Sequence, residues 1–77
     1  MKDLFTIGEV AELFSINIRT LRYYDDIGIL HPETTDTQTG YRYYTTRQFE
    51  RLNTIKYLRA LGMSLKKIAL FFESRDV

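Results

Sequence analysis

Cysteine and tryptophan are absent from this 77-residue chain, and histidine and proline occur once each. Without cysteine the chain forms no disulfide and no thiolate metal site, and a single histidine leaves a transition-metal site within these residues unsupported. No apolar run approaches the roughly 20 residues that span a bilayer. Residues 1–5 lack the long apolar stretch of a signal peptide. We therefore expect one small cytoplasmic domain, residues 1–77, with no metal, no cofactor and no membrane partner.

The same scarcity argues against an enzyme. His31 is the only histidine, and it precedes the only proline, so we expect it to be a turn residue. Asp25 and Asp26 are adjacent on a predicted helix and cannot face one substrate together. The four glycines are scattered and form no phosphate-binding loop. We expect no catalytic residue.

The net charge of +1 conceals an uneven distribution of charge along the chain. Residues 1–40 contain seven acidic and three basic residues, whereas residues 41–67 contain seven basic residues and one acidic residue. The last ten residues add two acidic residues and one basic residue. A basic segment of this kind favours a polyanionic partner.

Two short helices are predicted at the start of the chain. Thr6 and Glu9 have the capping-box spacing, and apolar residues follow at helical intervals as far as Phe14. Asn17 is a good N-cap for a second helix over about residues 18–27, which a glycine then ends. Two helices joined by such a turn form a helix-turn-helix. The alternative is an ordinary helical hairpin in a small bundle.

The helical period disappears between the second and third helices. Residues 34–40 form a turn-favouring tract, and Tyr41–Tyr44 is aromatic and favours a strand. We predict a two-stranded hairpin in which Ile29–Glu33 leads in and Tyr41–Tyr44 returns. Such a hairpin is marginal alone, so it must pack on the helices.

Two more helices complete the predicted fold, which is mainly α. Thr45 and Gln48 repeat the capping-box spacing, and Ser64 is placed to cap the fourth helix after a glycine stop. The third helix is predicted to turn Phe49, Leu52, Ile55, Leu58 and Leu61 inward, and the fourth Leu65, Ile68, Ala69 and Phe72. The predicted elements are a helix-turn-helix at about 6–27, a hairpin at about 29–44, and helices at about 46–61 and 65–73.

The second helix contains the first candidate binding residues. Its geometry turns Arg19 and Tyr23 outward, places Thr20 and Arg22 beside them, and puts Tyr24 at the edge of the core. The second helix of a helix-turn-helix enters the DNA major groove. There, arginine donates to guanine or phosphate, threonine contacts a thymine methyl group or a phosphate, and tyrosine donates to a phosphate. The alternative, a solvated face, is weakened because no acidic residue precedes these residues in the helix.

Further candidates lie on the hairpin and the last two helices. Tyr41 and Arg42 are placed to grip a DNA backbone, whereas we expect Tyr43 to pack on the helices. Arg59 lies one turn before a helix break, and Lys66 lies in the first turn of the fourth helix. A lysine there opposes the helix dipole, so an external anion such as phosphate explains it better than local stability does. An ordinary solvent-facing lysine is the alternative.

Taken together, these segments resemble the N-terminal DNA-binding domain of the MerR family of bacterial transcription regulators. The resemblance extends from Phe5 to Phe72 and rests on the combination of several motifs. They are Thr6–Ala11, Arg19–Asp25, Gly28–Leu30 with Pro32, Gly40–Tyr44 and Leu58–Leu65.

The resemblance implies a winged helix-turn-helix with a second wing made by the third and fourth helices. It implies a homodimer that binds double-stranded DNA at a two-fold-related promoter operator in the bacterial nucleoid, distorting the promoter spacer so that RNA polymerase engages both promoter elements. By position, Arg19, Arg22, Tyr23 and Tyr24 match the recognition-helix contacts, Tyr41 and Arg42 the first wing, and Arg59 the second.

Family members continue into a dimerisation helix and an effector-binding region, both of which we expect to be absent here, so the effector is unknown. Leu70 and Phe71 are predicted to be exposed, either as a contact for that helix or a second copy or as isolated surface residues. Two alternative functions are a helix-turn-helix module that binds proteins and a phage-type factor that shapes DNA.

Overall fold

Residues 3–75 are described by a computed structural model, and within them the chain forms four helices and three short strands. The ends of the predicted domain, residues 1, 2, 76 and 77, lie outside the described residues. The elements in chain order are β1 (Leu4–Thr6), α1 (Ile7–Phe14), α2 (Ile18–Asp26), β2 (Thr34–Thr35), β3 (Arg42–Thr45), α3 (Arg47–Ala60) and α4 (Leu65–Arg75). This mainly α winged arrangement confirms the predicted fold class.

Local capping sets the boundaries of the helix-turn-helix. The Thr6 hydroxyl accepts the Glu9 N–H at 3.1 Å, and the Glu9 carboxylate accepts the Thr6 N–H at 2.9 Å, so the predicted capping box is confirmed. Ser15 ends α1 in the left-handed conformation, with a φ of 52°. The Asn17 side chain then accepts the Arg19 N–H at 2.7 Å and starts α2, as predicted.

The sheet has three antiparallel strands in the order β1, β3, β2, rather than the two predicted. The missed strand is β1, which places Phe5 opposite Tyr44. This pairing joins Leu4–Thr6 to a strand almost forty residues later, and no local sequence pattern predicts it. It encloses β3 between two neighbours, so the hairpin is supported by the segment that leads into α1.

The predicted first strand, Ile29–Glu33, is wrong, because the strand that pairs with β3 is Thr34–Thr35. The reason lies in the end of α2. The backbone N–H groups of Ile29 and Leu30 both donate to the Tyr24 carbonyl, at 2.9 and 3.2 Å, and are therefore not available to a sheet. Both side chains are buried in the core. The segment after α2 thus closes the helix and fills the core before the hairpin begins.

The second capping box forms only in part. The Gln48 side chain accepts the Thr45 N–H at 3.1 Å, but Thr45 lies in β3 and its hydroxyl donates to Glu33 at 3.4 Å. Thr46 is the N-cap of α3 and has no side-chain capping hydrogen bond. The helix therefore begins at Arg47, because the strand retains the residue that was predicted to cap it.

One core joins all the helices and β3. Its buried residues are Val10, Ala11, Leu21, Tyr24, Ile29, Leu30, Tyr44, Leu52, Ile55 and Ile68. The prediction that Leu61 points inward is wrong: it is 65% exposed. The reason is that α3 ends at Ala60 and Gly62 turns the chain with a φ of 91°, so Leu61 leaves the buried helical stripe. Ile18, in the first turn of α2, is also exposed.

The outer face of α4 follows the prediction in part. Leu70 is exposed, as expected, whereas Phe71 is half-buried, with its ring 5.6 Å from that of Phe72 in an edge-to-face contact. Among residues 3–75, no helix has the length and apolar character needed to cross a membrane.

The two N-cap threonines provide a matched test of helix capping. We expect Thr6→Ala to lower the free energy of unfolding by about 1 kcal/mol, because an N–H of α1 loses its acceptor. Thr46→Ala should change it far less, since the Thr46 side chain makes no capping hydrogen bond. Urea unfolding followed by circular dichroism measures both values. Equal losses in the two variants would contradict this account of the capping.

Candidate nucleic-acid interface

The outer face of α2 carries the predicted binding residues. Arg19, Arg22 and Tyr23 are exposed, and Thr20 is half-buried beside them. The short turn before α2 and the Asn17 cap fix the position from which this face projects. The face offers two guanidinium groups, a phenol and a hydroxyl, all of which can donate hydrogen bonds to phosphates or base edges.

The hairpin borders this face on one side. A shallow depression of about 570 Å³ is lined by Thr6, Ile7, Arg22, Gly40, Tyr41 and Arg42. Tyr41 is 62% exposed and immediately precedes β3. The structure therefore brings Arg22 of α2 together with the two residues that were predicted for the wing.

The α3–α4 corner borders the same face on the other side. A second depression, of about 380 Å³, is lined by Arg19, Thr20, Tyr23, Tyr24, Arg59 and Leu65. The Arg59 guanidinium donates to the Met63 carbonyl at 3.1 Å, which holds the side chain across the turn at Gly62. Lys66 is exposed in the first turn of α4 and lines neither depression. Basic residues thus flank α2 on both sides.

Tyr24 lies deeper than the other candidates. Only 5% of it is exposed, and it is one of the residues that line the second depression. Burial raises the pKa of the Tyr24 phenol, and the nearby Arg59 charge lowers it in part. Tyr24 is therefore a buried residue that borders the same depression as the exposed Arg59.

The tyrosine of β3 that packs most deeply is Tyr44, whereas Tyr43, for which packing was predicted, is half-buried. Successive side chains of a strand point to opposite faces of the sheet, and Tyr44 is the one that belongs to the buried core. Burial raises the pKa of the Tyr44 phenol, Asp25 raises it further, and Arg42 lowers it. The Tyr44 hydroxyl is buried without a hydrogen-bond partner among residues 3–75.

Two basic residues of α3 make contacts to other elements, although both are exposed. The Arg51 Nε donates to the Ile29 carbonyl at 2.8 Å, and its guanidinium lies 3.9 Å from the centre of the Phe72 ring. The Lys56 ammonium donates to the Phe14 carbonyl. These contacts join α3 to Ile29, Phe14 and Phe72, and neither residue lines the two depressions beside α2.

Sequence reasoning missed the contacts of Asp25 and His31. The Asp25 carboxylate lies 2.7 Å from the His31 Nδ1 and 3.7 Å from the Arg42 Nε. These residues belong to α2, the following loop and the wing, and only the spacing of Asp25 and Asp26 beyond the basic face gave any signal. Within residues 3–75, no cluster of three or more histidine and carboxylate side chains is placed to hold a metal.

A helix-turn-helix whose second helix lies between a hairpin and a helical corner, with arginines on both, defines a winged helix-turn-helix protein. Residues 5–75 match the family described as MerR HTH family regulatory protein. The chain belongs to the MerR family, as the sequence motifs indicated.

Relatives in this family are named as transcription regulators. The transcriptional regulator BrlR of Pseudomonas aeruginosa is 45% identical over 65 residues, which cover 84% of this chain and 24% of BrlR. The structure described as the EcmrR–DNA complex in EcmrR-RPo has a TM-score of 0.88 at 32% identity, over 95% of this chain and 27% of that one.

A third similar protein is HiNmlR, described as a MerR family regulator lacking the sensor domain and bound to promoter DNA. It has a TM-score of 0.82 at 35% identity, over 94% of this chain and 54% of HiNmlR. This chain therefore spans about a quarter of the length of BrlR and of EcmrR, and about half that of HiNmlR.

The two buried tyrosines predict loss of stability in alkali. Because burial raises the pKa of Tyr24 and Tyr44 above the usual value of 10.0, the unfolded chain releases these protons at lower pH than the folded chain. Their contribution is fully present below pH 10 and is lost as pH rises through the folded-state values. Urea unfolding at a series of alkaline pH values measures this loss. Tyr44→Phe should make the loss shallower, and an unchanged pH dependence in that variant would contradict the assignment.

Proposed function

We propose that this chain is the DNA-binding domain of a transcription regulator and places α2 in the major groove of a promoter operator. The observation that carries the proposal is the pair of depressions that border α2, one lined by Arg22, Tyr41 and Arg42, the other by Arg19 and Arg59. A duplex seated on α2 meets a cation on either side of the groove, which is the charge pattern that two flanking phosphate backbones require.

The exposed residues divide into two roles in this proposal. Arg19 and Arg22 lie on α2 itself and donate to base edges or to the phosphates at the groove edge, and Thr20 contacts a thymine methyl group or a phosphate. Tyr23 donates its phenolic hydroxyl to a phosphate. Tyr24 is buried and lines the same depression as Arg59, so it shapes that edge of the face rather than acting as an exposed donor.

The flanking residues contact the backbone and carry little sequence information. Tyr41 and Arg42 do so from the wing, and Arg59 does so from the α3–α4 corner. Lys66 adds a charge in the first turn of α4, where the free N–H groups of a helix start also favour an anion. Such contacts fix the position of α2 on the duplex.

We further propose that two copies of the chain bind a two-fold-related operator and distort the promoter spacer for RNA polymerase. Bending a site of this size costs several kcal/mol, so the contacts of both copies are needed to offset it. HiNmlR is described as bound to promoter DNA without a sensor domain, and EcmrR as a DNA complex within EcmrR-RPo. We place the site of action in the bacterial nucleoid.

Selection of bound duplexes from a random pool tests the proposal directly. We expect an enriched site that contains two inverted half-sites, because a two-fold dimer imposes its symmetry on its operator. A single enriched half-site supports DNA reading by α2 and contradicts dimeric binding by this chain. Absence of any enrichment, with retained binding to proteins, would favour a protein-interaction module instead.

Titration of the selected duplex at several salt concentrations separates the two roles. Arg42→Ala and Arg59→Ala should weaken binding to a similar extent across sequences, and each should reduce the slope of log affinity against log salt by about one. Changes at Arg19 or Arg22 should alter the selected sequence. Arg47→Ala is the matched control, because Arg47 is an exposed cation that pairs with Glu33 at 3.9 Å and lines neither depression. Binding that does not depend on salt would overturn the proposal.

A further inference from the structure

We propose that Asp25 is a positioning residue for DNA binding, because its carboxylate holds the wing residue Arg42 against the recognition helix. The inference rests on the proposed function and concerns how the wing and α2 act as one surface. Asp25 lies in the last turn of α2, and Arg42 is the first residue of β3. Their contact is the ion pair that joins the recognition helix directly to the wing.

The geometry of the pair leaves Arg42 able to bind a phosphate. Asp25 Oδ2 lies 3.7 Å from Arg42 Nε, the guanidinium nitrogen nearest the chain, so the outer Nη groups remain available to a phosphate. The Asp25 side chain is 21% exposed and that of Arg42 is 38% exposed, so the carboxylate is the more buried member of the pair.

The carboxylate is itself fixed from a second side. His31 Nδ1 lies 2.7 Å from Asp25 Oδ1, and the His31 carbonyl accepts a hydrogen bond from the Gln48 side chain. The Gln48 Oε1 in turn accepts the Thr45 N–H at 3.1 Å, at the end of β3. Asp25 is thus connected to both ends of the wing strand, directly through Arg42 and indirectly through His31, Gln48 and Thr45.

The loop conformation supports this arrangement. Gly28 has a φ of 81°, and a Cβ atom there would lie 3.7 Å from the His31 Nε2, so the imidazole lies over the glycine. The turn therefore directs His31 back to the helix it has just left. Asp26, the next residue in α2, is exposed and makes none of the ion pairs or side-chain hydrogen bonds found among residues 3–75.

A positioning role and simple electrostatic repulsion predict opposite changes in DNA affinity when the Asp25 charge is removed. A carboxylate near DNA repels phosphates, so its neutralisation alone strengthens binding. If Asp25 orients Arg42, its neutralisation releases a long side chain that must then be ordered on binding, and affinity falls. Asp25→Asn and Asp26→Asn remove the same charge from adjacent positions, and only the first removes a partner of Arg42.

The experiment compares these variants of the 77-residue chain on the selected duplex. We expect Asp25→Asn to weaken binding roughly threefold to tenfold and to reduce the salt slope, because a phosphate contact is loosened. Asp26→Asn should leave the slope unchanged and bind at least as tightly as the parent chain. Asp25→Glu, which keeps a carboxylate at this position, should recover most of the affinity. The affinities and salt slopes distinguish a positioning role from a general loss of fold. Thermal unfolding of each variant measures any loss of fold directly.

A double-variant cycle with Arg42→Ala completes the test. If Asp25 acts through Arg42, adding Asp25→Asn to Arg42→Ala causes no further loss of affinity, because the residue to be positioned is gone. Independent, additive losses would overturn the inference, as would equal behaviour of Asp25→Asn and Asp26→Asn. If Asp25→Asn prevents folding, failure of Asp25→Glu to restore binding in a folded chain overturns it as well. Failure of the parent chain to bind any duplex would instead overturn the proposed function.

Discussion

The turn at the end of α2 determines where the wing lies. The Tyr24 carbonyl accepts the N–H groups of both Ile29 and Leu30, which closes the helix and directs the two apolar side chains into the core. The left-handed conformation of Gly28 makes this reversal possible. From this point the chain has only a short path to β2, so the wing must start beside the recognition helix. The position of the wing relative to α2 is therefore set by residues of the core.

Local signals were sufficient for the helices and insufficient for the sheet. The Thr6 capping box and the Asn17 cap were predictable because their donors and acceptors lie within three residues of one another. The pairing of β1 with β3 depends on contact between distant segments, so Leu4–Thr6 carried no readable strand pattern. Thr45 shows the competition directly: it has the sequence of a helix cap, yet strand pairing retains it in β3. Tertiary contacts decide such positions.

The part of the candidate site that depends on charge and on the helical period could be predicted from the sequence. Arg19, Arg22 and Tyr23 project from one face because of the helical period, and that face was deduced from sequence alone. Sequence counting could not separate Arg59, which borders that face, from Arg51 and Lys56, which hold the fold together. All are basic residues of α3, and only their partners in space distinguish them.

The acidic residues also have an unequal role in this fold. A small domain that binds DNA benefits from few carboxylates near the duplex, since each one repels phosphates. Asp25 is retained beside the interface, where its charge is compensated by Arg42 and by contact with His31. An exposed ion pair of this kind contributes little to the free energy of folding. Its value lies in geometry: it restricts a flexible arginine on a short strand to one position relative to α2, so that wing and helix meet the duplex together.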